Sequence, residues 1–492
     1  MEIMLNNLLP DHHLPAIAIH GIQYDSRKVK PGDLFFATTG VQVDGRQFVK
    51  DVSAIAAAVL CEAPYKAAFA NDFEIEDLSA QKGEVASRFY GSPSEYLDVI
   101  AVTGTNGKTS VSHYVAQAFG LVGQSCGVIG TLGAGIDGNL EDIGMTTPDA
   151  VDLQRMLSEL REKGAEVVCL EASSHGLEQG RLNGTRVSLA IFTNISRDHL
   201  DYHENFAAYA AAKKKLFNWP KLKKTVLNLD DEFGEILSKE LQTEITVSDE
   251  LSVSQRQVTC MTYSLHRNDA DIHCSSINYD RTGINATVVC GTEERALRSS
   301  LFGGFNLSNL LAVVASLLSY DVDFSEAIDV VSQLKNVKGR MDVLSESGRP
   351  TVVIDYAHTP DALESVLTAL KQHANSKIIC VMGCGGDRDK GKRPLMGEVC
   401  GRLADQTVVT SDNPRNESPD EIVAQILLGF SPEAQVLIEV DRASAITLAL
   451  SIAGTEDLVL IAGKGHEEYQ DVNGRKIQFS DYAVVENYLS GN

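Results

Sequence analysis

The residues best equipped for chemistry begin at Thr103-Gly104-Thr105-Asn106-Gly107-Lys108-Thr109. An apolar run, Val99-Ile100-Ala101-Val102, leads into this glycine-broken turn, and a helix-compatible segment, Val111 to Phe119, follows it. Strand, loop and helix in that order form the context of a phosphate-binding loop. Glycines let backbone N–H groups converge on phosphate oxygens, and the helix start adds partial positive charge. Lys108 would then reach the β/γ-phosphates and the Thr109 hydroxyl would hold Mg²⁺. The spacing is shorter than usual, because position 102 is valine and the first glycine is Gly104. Gly104, Thr105, Asn106, Gly107, Lys108 and Thr109 together predict a nucleoside-triphosphate site.

Further strand ends carry polar groups. Val167-Val168-Cys169-Leu170 runs into Glu171-Ala172-Ser173-Ser174-His175-Gly176. A carboxylate ending a buried strand beside a phosphate loop is a natural Mg²⁺ ligand. Leu189 to Asn194 precedes Asp198-His199-Leu200-Asp201-Tyr202-His203, where two His and two Asp fall within six residues. That loop belongs on the same sheet edge as Thr109 and Glu171, or is a surface loop that happens to be histidine-rich. Thr146-Thr147-Pro148 offers hydroxyls in a turn, and Ser26 and Arg46 read as solvated loop residues that could bind an anion. Lys213-Lys214-Lys215 follows an alanine-rich helix and, on residue type alone, reads as a solvated face. Gly303-Gly304-Phe305-Asn306 opens an apolar helix whose asparagines either contact a base or cap the helix.

Beyond about residue 337, four apolar strands each end in a functional loop. Val352-Val353-Ile354 meets Asp355-Tyr356-Ala357-His358, and Ile378 to Met382 meets Gly383 to Lys390, with Arg388. Thr407 to Thr410 meets Asp412-Asn413-Pro414-Arg415, and Leu458 to Ile461 meets Gly463-Lys464-Gly465-His466-Glu467. Ser418 and Pro419 predict a helix start after the third of these loops. A parallel sheet with all its carboxyl ends functionalised predicts a ligand there, and charges of both signs point to a zwitterion.

These motifs need elements to hold them. A chain of 492 residues suggests about three domains. Alternating strand-like and helix-like patterns predict an α/β fold: an N-terminal α/β domain (1–98), a central parallel-sheet domain with the phosphate loop (99–336) and a C-terminal Rossmann-like domain (337–492). Gly91-Ser92-Pro93 reads as the first linker, and residues 245–300 read as a meander of short strands. The formal charge of −24 argues against nucleic acid or anionic membrane as partner. Nine cysteines without a Cys-x-x-Cys pair indicate a reducing compartment, with neither a disulfide framework nor a structural zinc site. No apolar run approaches ~20 residues, so a soluble, cytoplasmic protein is expected.

The combined motifs resemble the Mur ligases, ATP-dependent amide-forming enzymes of peptidoglycan precursor synthesis, over essentially the whole chain. The resemblance rests on the phosphate loop, on Glu171 to Gly176, on Thr193 to Asp201, on Tyr209 to Phe217 and on Asp355 to Pro360. It implies that Lys108, His199 and Lys213 are catalytic, with Lys213 carrying a CO₂-derived carbamate. Thr109, Glu171, His199 and that carbamate would hold Mg²⁺, and Asn306, Arg340 and Asp355 would complete the ATP site. Ser26, Val41, Gln42 and Val43 would take the uridine diphosphate end of a UDP-muramoyl-dipeptide. Thr146, Thr147, Ser173, Gln179 and Arg181 would contact the remainder. Asp412, Asn413, Pro414 and Arg415 resemble the loop of the diaminopimelate-adding subgroup, with Arg388, Gly463 and Glu467 holding the other ends of that amino acid. A guanidinium meets diaminopimelate's distal carboxylate with paired hydrogen bonds and repels lysine's ammonium.

The implied reaction phosphorylates the D-glutamyl side-chain carboxylate with ATP and lets the amine displace phosphate, under a C-terminal domain that closes to exclude water. The resemblance also implies a monomer acting on small molecules. A lysine-adding ligase lacks the equivalent of Arg415. A folylpolyglutamate synthase-like ligase does not need the Asp25-Ser26-Arg27 segment. A non-catalytic nucleotide switch does not need Thr109, Glu171 and His199 together.

Overall fold

Apolar runs that end in polar loops become buried strands. The run before the phosphate loop lies within strand Asp98–Thr103, and the helix after it spans Lys108–Leu121. Strand Val167–Glu171 is wholly buried and runs parallel to it, with Glu171 opposite Val102. Strand Leu189–Phe192 flanks the other side, with Phe192 opposite Thr103. This register brings Thr103, Glu171 and Phe192 to one sheet edge. Continuous apolar composition suits such two-sided burial in a parallel sheet.

The computed structural model describes residues 2–40, 43–136, 138–199, 202–248, 258–346, 348–374 and 376–490, without the side chains of 243–248. It divides into two compact units, Met1–Asp271 with Ala312–Val322, and Ile272–Leu311 with Asp323–Asn492.

In the first unit, a small parallel sheet orders Gly21–Gln23, Asp33–Ala37, Ala58–Glu62 and Asp72–Ile75. The larger sheet runs Asn139–Glu141, Gly133–Ile136, Cys126–Gly130, Val167–Glu171, Asp98–Thr103, Leu189–Phe192, Lys224–Asn228 and Thr259–Ser264. It is parallel from Cys126–Gly130 onward. Helix Ala150–Glu162 joins the two sheets: Val151 enters the N-terminal core, while Leu153, Leu157 and Leu160 enter the central one. Lys82 pairs with Asp149 at 2.5 Å and the Tyr24 hydroxyl donates to Asp152 at 2.5 Å across that junction.

In the second unit, Ile272–Asp280, Gly283–Cys290 and Glu293–Ser299 form an antiparallel meander. A six-stranded sheet orders Asp342–Leu344, Thr351–Asp355, Leu458–Ala462, Ile378–Met382, Gln406–Val409 and Val436–Ile438, parallel except for its first strand. Apolar cores cover both faces, around Leu367, Val399 and Ile426 on one and Ile446, Leu450 and Val485 on the other. Strand Leu458–Ala462 inserts between Thr351–Asp355 and Ile378–Met382. The loops that follow these strands therefore open at a point where strand order reverses.

Two expectations need correction. The meander predicted over 245–300 holds only from Ile272: helix Glu232–Ser248 precedes it, residues 249–257 lie outside the described ones, and Thr259–Ser264 pairs in parallel with Lys224–Asn228. Alternation marks a strand but not the direction of its partner. Ser418 does occupy the N-cap of helix Pro419–Leu427, but its side chain makes no capping bond.

Candidate functional site

The phosphate loop is held from three directions. Gly107 adopts φ +84° at the start of the helix, a conformation that favours glycine. Asn194 accepts from the Asn106 backbone N–H through Oδ1 at 2.9 Å, and Thr193 Oγ1 donates to the Asn106 carbonyl at 2.6 Å. A Cβ at Gly104 would stand 1.9 Å from Thr193 Oγ1, so the short glycine spacing reflects a close approach of two strand ends. Lys108 Nζ donates to the carbonyls of Gly104 and Thr105, both at 2.9 Å.

Glu171 has no exposed surface. Its carboxylate accepts from Thr109 Oγ1 at 3.0 Å, the Thr131 backbone N–H at 2.8 Å and Thr131 Oγ1 at 3.1 Å. Gly130 makes the space, since a Cβ there would lie 2.2 Å from Glu171 Oε1. Among the described residues no group of three or more His, Cys, Asp or Glu converges as a metal cluster. Magnesium needs no such cage: it is commonly held by one or two protein oxygens together with substrate phosphates. A buried carboxylate bonded to the phosphate-loop hydroxyl fits that donor set.

Lys213 corrects the reading from residue type. It is 1% exposed and donates through Nζ to the Gly104 carbonyl at 2.7 Å. Burial, reinforced by the charge of Lys108, drives its ammonium well below the ordinary lysine range. Lys214 and Lys215 instead face outward, paired with Glu240 and Glu178 at 2.7 Å. Tyr209, one turn before Lys213, meets Thr105 Oγ1 through its hydroxyl at 2.9 Å, and burial pushes its phenol up to about 12. His199 sits at φ +52° with Nε2 3.3 Å from Asp198, its ring 4.9 Å from His175 and 6.2 Å from Tyr209.

Five residues predicted for the sugar-peptide form one chain of bonds leading to Glu171. Thr146 Oγ1 lies 3.0 Å from Thr131 Oγ1, and Thr147 Oγ1 donates to the Glu171 carbonyl at 2.7 Å and lies 2.9 Å from Ser173 Oγ. Arg181 donates to the Thr147 carbonyl at 2.7 Å and, through Nε and Nη2, to Gln179 Oε1. Ser26 lies apart from them in a short 3₁₀ turn, Ser26–Lys28, capped by Asp25. Val43 is 52% exposed, and Val41 and Gln42 lie outside the described residues. Arg46 turns inward to Asp44 and the carbonyls of Glu62 and Pro64, so its role is structural.

In the second unit, Asp355 receives the backbone N–H groups of Met341 and Ala357 at 2.7 Å. Burial raises its carboxyl, opposed by the charge of Arg340, whose guanidinium stands 5.1 Å from the Tyr356 ring centroid. Asn306, 1% exposed, donates to the Phe302 carbonyl at 2.9 Å within helix Gly304–Leu318.

The loops predicted to bind a zwitterion do converge. Arg415, at φ +49°, donates through Nη1 to the Gly386 carbonyl at 2.7 Å, and its Nε lies 3.8 Å from Asp471. Asn413 Nδ2 donates to Glu467 Oε2 at 2.9 Å, and Lys464 Nζ bridges Asp412, Asn413 and Glu467. Gly463 adopts φ +116°, with the Asp412 carboxylate 3.1 Å from where a Cβ would be. Arg388 is exposed on the neighbouring loop. Three contributors received no role of their own from sequence reasoning: Thr131, Lys464 and the hairpin Tyr469–Val472/Arg475–Gln478, which bonds backbone-to-backbone with Arg415. Thr131 could have been found as the polar residue closing the apolar strand Cys126–Gly130.

Comparison with known proteins agrees with this arrangement. Three family models match: "Mur ligase family, catalytic domain" over residues 18–89, "Mur ligase middle domain" over 102–317 and "Mur ligase, glutamate ligase domain" over 339–465. The UDP-N-acetylmuramoyl-L-alanyl-D-glutamate–2,6-diaminopimelate ligase of Pseudomonas putida is 46% identical over 480 residues, covering 96% of this chain and 95% of that protein. Its namesake from Pseudomonas aeruginosa is 46% identical over 498 residues, covering 100% and 99%. A solved structure of a ligase of the same name superposes with a TM-score of 0.76 at 38% identity, covering 100% of this chain and 99% of the other.

Proposed function

The chain belongs to the Mur ligase family, and from that premise we propose that it is an ATP-dependent ligase joining meso-diaminopimelate to UDP-N-acetylmuramoyl-L-alanyl-D-glutamate in peptidoglycan precursor synthesis. One observation carries the choice of amino acid: Arg415 shares a loop with Asp412 and Asn413, which Lys464 and Glu467 tie to the neighbouring loop. A loop presenting a guanidinium together with carboxylates is complementary to a ligand that bears both carboxylate and ammonium groups. Lysine would offer the guanidinium no distal carboxylate and would place an ammonium near it instead.

ATP sits on the loop Gly104–Thr109 in this reading, with Lys108 against its β/γ-phosphates and Asn306, Arg340 and Asp355 as further nucleotide contacts. Bound Mg²⁺ supplies charge neutralisation at the transferring phosphoryl group, held by Thr109 and Glu171, with His199 and a modified Lys213 as further ligands. The uncharged Lys213 amine adds to CO₂, its nitrogen lone pair forming the C–N bond and one proton leaving to solvent. The product is an anionic oxygen donor in place of a buried cation. The depressed Lys213 ammonium favours the reactive neutral form. Ser26, Val41, Gln42 and Val43 would take the uridine diphosphate, and Thr146, Thr147, Ser173, Gln179 and Arg181 the muramoyl-dipeptide. The D-glutamyl carboxylate then attacks the γ-phosphorus, ADP leaves, and the amine of diaminopimelate displaces phosphate from the acyl carbon. Positioning and charge neutralisation supply most of the catalysis. Arg388, Asp412, Asn413, Pro414, Gly463 and Glu467 orient the amino acid.

The reading also includes three domains (1–98, 99–336 and 337–492), a monomer, and work on small molecules in the cytoplasm. No helix among the described residues is long and apolar enough to cross a membrane. The test is phosphate release from ATP with each co-substrate withheld in turn. Release that requires both the muramoyl-dipeptide and diaminopimelate supports the proposal, and release with ATP alone contradicts it.

A further inference from the structure

Lys464 is the only lysine of the second unit's loops that sits fully buried among the described residues, and nothing in the proposed reaction uses it. Gly463 at φ +116° and Gly465 at φ +53° bend the chain on either side and turn the lysine inward. Its ammonium meets Asp412 Oδ1 at 3.3 Å, Asn413 Oδ1 at 3.0 Å and Glu467 Oε2 at 3.1 Å. An ammonium has three protons to donate, so three acceptors saturate it and leave none for a ligand. The next aromatic ring, Tyr469, lies 5.8 Å from Nζ. The neighbouring buried cation, Arg442, is already neutralised by Asp481 through two bonds of 2.8 Å.

We infer that Lys464 is a positioning residue that sets both the spacing and the net charge of the Asp412–Glu467 cluster in the amino-acid pocket. Two carboxylates, Asp412 and Glu467, are offset by one ammonium, leaving a single negative charge to face one ligand ammonium. Without Lys464 the buried Asp412 and half-buried Glu467 carboxylates would repel each other with little solvent to screen them. They would separate or take up a proton, and either response spoils the site. Lys464 also ties three segments of sequence together, because Asn413 Oδ1 accepts in addition from the Asp471 backbone N–H at 2.9 Å. This inference rests on the reading above that Asp412 and Glu467 hold the diamino acid.

The experiment uses the full chain and three variants: Lys464→Met, Asp412→Asn and the double substitution. Each is assayed for phosphate release, with KM determined separately for ATP, muramoyl-dipeptide and diaminopimelate. Lys464→Met should raise KM for diaminopimelate about tenfold or more, with the other two KM values changed less than about twofold, because those ligands contact other loops. The double variant restores one net negative charge, so it should bind diaminopimelate better than Lys464→Met alone. A purely structural role would make the two losses add or compound. Equal changes in all three KM values, or additive losses in the double variant, overturn the inference. If Lys464→Met does not fold, the double variant decides: a folded, diaminopimelate-dependent protein supports the charge argument, and an unfolded one refutes it. Failure of the parent protein to use diaminopimelate at all would instead overturn the functional reading.

Discussion

Replacing Arg415 with methionine separates substrate choice from catalysis. The side chain is about one-quarter exposed, bonded through Nη1 to the Gly386 carbonyl at 2.7 Å and lying 3.8 Å from Asp471. Methionine keeps most of the aliphatic stem, so the variant loses one internal hydrogen bond, worth about 1 kcal/mol of stability. The backbone is held independently of the side chain: Arg415 N–H donates to the Asp471 carbonyl at 2.9 Å, and Asn473 N–H donates to the Arg415 carbonyl at 2.8 Å. The fold should therefore survive. Binding loses a paired, charge-assisted contact to the distal carboxylate, about 2–3 kcal/mol or more. At about 1.4 kcal/mol per decade, kcat/KM for diaminopimelate falls roughly 30- to 150-fold. Lysine has no such carboxylate and escapes a repulsive guanidinium, so its kcat/KM should hold or rise. The assay is continuous phosphate release with each amino acid in parallel. A selectivity ratio unchanged within about twofold would refute the assignment of Arg415 to the distal carboxylate.

Other outcomes follow from the same geometry. Glu171→Gln removes the buried negative charge beside Thr109, and half-saturation by Mg²⁺ should rise roughly ten- to a hundredfold, from about 1.5–3 kcal/mol lost; an unchanged Mg²⁺ titration would exclude Glu171 as a ligand. In CO₂-free buffer the unfolded Lys213 titrates at its ordinary 10.5, while the folded one titrates well below it. The unfolded state therefore holds the extra proton in that window, and stability should rise with pH from neutral to about 10. Lys213→Met should abolish that slope, raise the denaturant midpoint at neutral pH and eliminate ligation; a slope that persists would contradict the burial argument. Asp481→Asn leaves Arg442 buried without its carboxylate, which should cost about 3–5 kcal/mol of unfolding free energy, measured by denaturant titration. A loss below about 1 kcal/mol would show that the pair is relaxed.

Much of the candidate site's sheet edge was legible because apolar strands and polar strand ends lie next to each other in sequence. Val99–Val102, Val167–Leu170 and Leu189–Phe192 announced three adjacent strands, and their register delivers Thr109 and Glu171 to contact. Lys213 was misleading by composition and readable by period. Tyr209, Ala212, Lys213 and Leu216 form one buried stripe, whereas Lys214 and Lys215 fall on the wet face. Thr131, Lys464 and the Tyr469–Gln478 hairpin were hidden because their roles arise from partners distant in sequence. Thr131 bonds across 40 residues to Glu171, and Lys464 bonds across 52 residues to Asp412. Local pattern fixes an element's type but not which loop it will meet.

The most direct measurement mixes the protein with ATP, Mg²⁺, UDP-N-acetylmuramoyl-L-alanyl-D-glutamate and equal amounts of diaminopimelate and lysine, then weighs the product by mass spectrometry. The account predicts a product heavier than the starting nucleotide by one diaminopimelate residue, with one ADP formed per bond. A lysine adduct as the main product, or ADP without any adduct, would contradict it.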